Sequence, residues 1–134
     1  MPSIDAIVGI PHRSATKLRR AGVRTTDALL RRAAGADGRR DLAESTGIDD
    51  GQLLEWCHRA ELLGIRGVGG EYAHLLTVVG VPTLDDLAAC DPEDLLGRLT
   101  GENDRRRLVR RLPTDEMVAS WVLTAGGSER RVER

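Results

Sequence analysis

Phenylalanine is absent from these 134 residues, and Trp56, Tyr72 and Trp121 are the whole aromatic complement. Readers of single-stranded nucleic acid stack bases on several exposed rings, so so few rings argue against that class. Cysteine is nearly as scarce. Cys57 and Cys90 stand at neither metal nor disulfide spacing, which fits a reducing cytoplasm. No apolar run nears the roughly 18 residues of a membrane span. The start, Met-Pro-Ser-Ile-Asp, lacks the basic stretch and apolar core of a secretion signal. A soluble cytoplasmic protein with no membrane partner is the expectation.

Catalytic signatures are missing as well. There is no nucleophile elbow, phosphate-binding P-loop, dinucleotide fingerprint or metalloprotease helix. The acid pairs Asp49-Asp50, Asp85-Asp86 and Glu93-Asp94 fall where helices should start, and capping accounts for them. His12, His58 and His74 have no acid or cysteine at zinc-ligand spacing. The expectation is a protein that is not an enzyme, with no metal and no small-molecule substrate.

What is present is globular. Hydrophobic residues make up 40% of the chain and charged residues 31%, a balance that suits a folded domain better than a disordered one. A chain this long buries roughly two-thirds of its unfolded surface without help from metal or disulfide. Its net charge of -1 conceals segregation: His12 to Arg40 carries +7, Asp41 to Asp104 carries -11, and Arg105 to Arg134 carries +4. Binding to a polyanion depends on a local basic face, whereas the total governs solubility.

The chain also repeats. A shift of 58 residues aligns Ile7 with Ile65, Gly9 with Gly67, Ile10 with Val68, Ala15 with Ala73, Leu18 with Leu76, Gly22 with Gly80 and Thr25 with Thr83. A looser echo at 65 aligns Trp56 with Trp121. Two copies are too few for an open solenoid, so the reading is one compact all-α domain over 1–125, built from pseudo-repeats at about 4–63 and 64–125. Residues 126–134 read as a frayed C-terminal tail.

Apolar residues recur at three and four positions, as in Leu53, Trp56, Cys57, Ala60 and Leu63, and no alternating β pattern competes. The spacing predicts helices near 14–21, 26–34, 40–46, 50–63, 71–79, 84–90, 92–100, 103–112 and 115–125. Thr25, Thr83, Asp91 before Pro92, and Thr114 are N-cap candidates. The tryptophans and Cys57 read as core residues.

The segments Ile7-Val-Gly-Ile-Pro-His-Arg-Ser-Ala15-Thr-Lys-Leu18 and Ile65-Arg-Gly-Val-Gly-Gly-Glu-Tyr-Ala73-His-Leu-Leu76 resemble the helix-hairpin-helix motif. Residues from about Ile7 to Ala125 also resemble an uncharacterised bacterial family of tandem helix-hairpin-helix proteins, a domain of unknown function. Gly67-Val-Gly-Gly-Glu-Tyr-Ala73, Leu75-Leu76, Gly80-Val81, Trp56 and Trp121 carry that likeness. The resemblance implies a paired motif that grips the DNA backbone without reading sequence. It also implies that a hairpin can hold a monovalent cation, the one cofactor in view.

The two copies differ where a phosphate would sit. The first has Pro11 in place of the second glycine, which removes an N–H. The second keeps Gly67, Val68, Gly69 and Gly70, then places Glu71 at the helix start, where its charge repels an anion but stabilises its own helix. In the first copy Arg13, Lys17, Arg20 and Arg24 form a basic stripe away from Ala15 and Leu18. The candidate nucleic-acid-binding residues are therefore Gly9, Ile10, His12, Arg13, Lys17, Arg20 and Arg24, with the second hairpin mainly structural. Arg105, Arg106, Arg107, Arg110 and Arg111 form another basic group, expected to pair with the acidic middle on a helix whose inner face is Leu108, Val109 and Leu112. The alternative function is a protein-interaction or scaffolding module that has lost phosphate binding.

Overall fold

Threonine and aspartate side chains start most of the helices, as their chemistry dictates. In the computed structural model, which describes residues 2–133, Thr25 accepts the Ala28 N–H, Thr83 the Asp86 N–H, Asp91 the Asp94 N–H and Thr114 the Met117 N–H, at 3.0 to 3.1 Å. Each satisfies a donor that the first helical turn leaves open. Thr83 goes further, donating its hydroxyl to the Asp86 carboxylate at 2.7 Å.

Among the described residues the architecture is all-helical. A 3-10 turn at Ile4–Ala6 precedes α1 (His12–Arg20), α2 (Thr26–Ala33), α3 (Ala36–Thr46), α4 (Asp50–Leu63), α5 (Gly70–Val78), α6 (Leu84–Ala88), α7 (Pro92–Arg106) and α8 (Asp115–Gly127). The chain divides into two units, one reaching to Glu61 and taking in the stretch from Arg130, the other Leu62–Glu129.

In the first unit α2 packs against α3 and against the 3-10 turn. Ile4, Ile7, Leu18, Leu29, Leu42 and Leu53 are fully buried. The α2–α3 corner is close: a Cβ on Gly38 would stand 2.3 Å from the Arg32 carbonyl, so only glycine lets the backbones approach this far. Arg39, 2% exposed, donates to the carbonyls of Ala33 and Ala34 at 3.1 and 3.3 Å, while its Nε faces Asp50 at 3.6 Å. It satisfies carbonyls that the end of α2 would otherwise leave open. One of the cations of the basic segment from His12 to Arg40 is thus withdrawn into the interior.

In the second unit α8 packs on α6 and α7, and α7 on α5. Leu76, Leu87, Leu95, Val118 and Trp121 are buried, and the Trp121 ring tilts against Tyr72 with centroids 5.2 Å apart.

Residues 58 apart hold the same backbone. Gly9 and Gly67 have φ of 89° and 90°, and Gly22 and Gly80 have 88° and 90°. The Ile10 and Val68 N–H groups donate to the carbonyls of Ile7 and Ile65, and those of Val23 and Val81 to Leu18 and Leu76.

Two sequence expectations need correction. The helices expected at 92–100 and 103–112 are one helix, α7, that stops at Arg106; Gly97 and Gly101 do not break it. The Asn103 side chain ends it by bonding both the N–H and the carbonyl of Val109, and Arg107 turns left-handed at φ 52°. The expected inner face of Leu108, Val109 and Leu112 therefore lies on non-helical chain, with only Val109 buried. Helix α3 begins at Ala36 rather than 40, because Gly38 and Arg39 favour the close α2–α3 contact over the usual penalty of a helical glycine, about 1 kcal/mol. In the stretch 126–134, expected to be a frayed tail, α8 takes in Gly126 and Gly127, and Arg131 and Glu133 are hydrogen bonded, while Arg134 lies outside the described residues.

Both cysteines are free. Burial pushes the Cys57 thiol up to about 12 from an ordinary 9.0, with Arg39 opposing and Glu61 and Asp50 adding to the rise. Between those two values the unfolded chain releases the proton and the folded chain keeps it, so stability falls as pH rises from about 9 to about 12. Chemical denaturation of wild type and Cys57→Ala across that range should show a steeper alkaline loss in wild type. Equal slopes would contradict the assignment.

Candidate nucleic-acid interface

The first turn is built by short local bonds. Ile7 and Ile10 donate to the carbonyls of Ile4 and Ile7, and Gly9 between them takes the left-handed φ that a side chain disfavours. Ile7 is buried and anchors the turn, while Val8, Gly9 and Pro11 are exposed and Ile10 is half-buried. Arg59 on α4 braces it, donating to the Val8 carbonyl at 3.4 Å. Burial lowers the Arg59 pKa from its ordinary value, and Glu55 opposes that shift. Sequence reasoning missed Arg59, because 51 residues separate it from its partner and no local pattern connects them.

Helix α1 starts at His12 behind Pro11, which has no side chain able to cap it. Its first internal bond runs from the Ala15 N–H to the Pro11 carbonyl, so the N–H groups of His12, Arg13 and Ser14 have no acceptor among the described residues. Such open donors at a helix start favour an anion. Ala15 and Leu18 turn inward. Arg13, Arg20 and His12 are exposed, and Lys17 is half-buried on the same helix.

Arg24 departs from the expected stripe. Helix α1 ends at Arg20, and Gly22 at φ 88° redirects the chain, so Arg24 sits on the connecting segment, exposed, with its carbonyl accepting the Ile4 N–H at 3.2 Å. Among the described residues none of Arg13, Lys17, Arg20 and Arg24 forms an ion pair. Arg19, one position off the stripe, pairs with Asp5.

The second turn has its own surroundings. Gly67, Gly69, Gly70, Glu71 and Tyr72 line an open cleft of about 480 Å³ together with Val109, Arg110 and Arg111. The Tyr72 hydroxyl donates to the Arg111 carbonyl at 2.8 Å, which holds the 107–114 segment beside the start of α5. Val68 is buried beneath the turn. The arginine group expected to pair with the acidic middle divides: Arg105 and Arg106 reach Glu102 on their own helix at 3.6 and 2.7 Å, whereas Arg107, Arg110 and Arg111 form no ion pair among the described residues. The break at Arg107 separates the two sets.

A family model described as Domain of unknown function (DUF4332) matches residues 8–127. The chain belongs to this family. The match takes in α1 to α8, the second turn and the first turn from Val8 onward, and leaves the 3-10 turn, Ile7 and the stretch from Ser128 outside. No curated protein and no solved structure matches the chain. Among the described residues no helix is long and apolar enough to cross a membrane, and no group of three or more His, Cys, Asp or Glu could hold a metal ion.

Proposed function

We propose that the two turn-and-helix segments are helix-hairpin-helix motifs, and that the chain is a non-enzymatic binder of the DNA backbone, indifferent to base sequence. The first hairpin, Ile7 to Ile10, and the start of α1 approach one phosphate through the N–H groups of His12, Arg13 and Ser14. Arg13, Lys17, Arg20 and Arg24 meet others. One observation carries the reading: among the described residues, Arg13, Lys17 and Arg20 on a helix with an uncapped start, and Arg24 just beyond its end, make no ion pair with a carboxylate. Unpaired cations give up no existing bond when they meet a polyanion, and they release its condensed counterions.

The second hairpin has a lesser part. Glu71 at the start of α5 opposes an anion, while Arg110 and Arg111 beside it attract one. The rival reading, a protein-interaction module, draws on the exposed acids Asp85, Asp86, Asp91, Glu93 and Asp94 in the second unit.

Titration of a duplex of random sequence at several salt concentrations tests the proposal. Binding at 50 mM salt that is equal for unrelated sequences supports it. No binding at that salt, together with a stoichiometric protein complex unchanged by substitution of Arg13, Lys17 and Arg20, would replace it with the rival.

A further inference from the structure

Glu61 is a buried carboxylate near the end of α4, and its Oε2 accepts the backbone N–H of Arg131 at 3.0 Å. Two residues on, the Glu133 N–H donates to the Ala34 carbonyl at 2.7 Å, and its carboxylate accepts the Ala36 N–H at 3.3 Å. The Arg131 guanidinium faces Asp27 of α2 at 3.7 Å. These residues reach three helices of the first unit although residues 62–129 intervene in sequence.

We infer that residues 130–133 are a strap that closes the α2–α3 corner and completes the first unit. Its chemistry fits each place it touches. The residue before α3, Gly35, has no side chain to cap it, and the Glu133 carboxylate takes that role from outside. A buried carboxylate is costly without a donor, and the strap supplies one to Glu61. The end of α2 presents the Ala34 carbonyl, which the strap also satisfies. Detaching the strap removes the Arg131 N–H from Glu61 and the Glu133 carboxylate from the start of α3, and leaves the Ala34 carbonyl with Arg39 alone, so it rests closed. Because the strap follows residues 62–129, the first unit is complete only after the second has been synthesised.

Native-state hydrogen exchange on the full chain tests this, since exchange reports local opening. The Arg131 and Glu133 amides should exchange at least about tenfold more slowly than in an unstructured peptide, as a closed hydrogen-bonded segment requires. Glu61→Ala should speed exchange at Arg131 by about tenfold, while Glu61→Gln, whose amide oxygen still accepts, should stay near wild type. Unprotected amides at both positions in the wild-type chain would overturn the strap without recourse to any variant. Equal exchange at Arg131 in wild type and Glu61→Ala would overturn it too.

Discussion

Changing Arg13, Lys17 and Arg20 together to glutamate should abolish duplex binding at 50 mM salt, a loss of at least about a hundredfold, with helix content and melting temperature little altered. The size follows from the loss of three phosphate contacts and the counterion release that accompanies each. The fold should tolerate the change because none of the three makes an ion pair among the described residues, and surface substitutions away from such features usually stay within about 0.5 kcal/mol. Fluorescence anisotropy with a labelled duplex, beside circular dichroism of the same samples, checks both halves. Undiminished affinity in a folded triple variant would remove the α1 face from the interface.

Trp121→Ala should be the most damaging single change in the second unit, costing about 3 to 5 kcal/mol as buried Trp-to-Ala substitutions do. The indole is 1% exposed, rests on Tyr72, and lies so near the second turn that a Cβ on Gly67 would be 3.2 Å from its Nε1. Such a loss rivals the whole stability of an ordinary domain, so denaturant unfolding should show a large fall in midpoint or a chain already unfolded in buffer. A shift below about 1 kcal/mol would mean that Trp121 is not packed as described.

Much of the fold was legible because its signals are local. Thr25, Thr83, Asp91 and Thr114 declare helix starts by bonding an N–H three residues on, and the positive-φ glycines at 9, 22, 67 and 80 mark turns that few other residues accept. The Leu53 to Leu63 pattern placed α4 at the bounds it has. Non-local features escaped. Arg39 looks like any surface arginine until α3 is laid on α2, where α2's last carbonyls claim it. Asn103 ends α7 by a side-chain bond to Val109, six residues away, which no period of 3.6 encodes. Glu61 and Glu133 find partners 70 and 97 residues distant, so the strap has no sequence signature.

Within the candidate site, the positions of Arg13, Lys17 and Arg20 on one helix were readable from their spacing, because the period of the helix continues through Arg20. Arg24 was misplaced because Gly22 ends that period two residues earlier. The brace from Arg59, and the grouping of Arg110 and Arg111 with the second turn, depend on packing and left no trace in spacing.

The decisive measurement is the salt dependence of duplex binding by the wild-type chain. Four phosphate contacts give a slope near -3.6 in log Kobs against log salt, equivalent to an affinity loss of about 150-fold between 50 and 200 mM. A line of that slope, the same for unrelated duplex sequences, is the predicted result. A slope near zero, or no complex at 50 mM, would contradict the claim that the cations of the first unit await a nucleic-acid backbone.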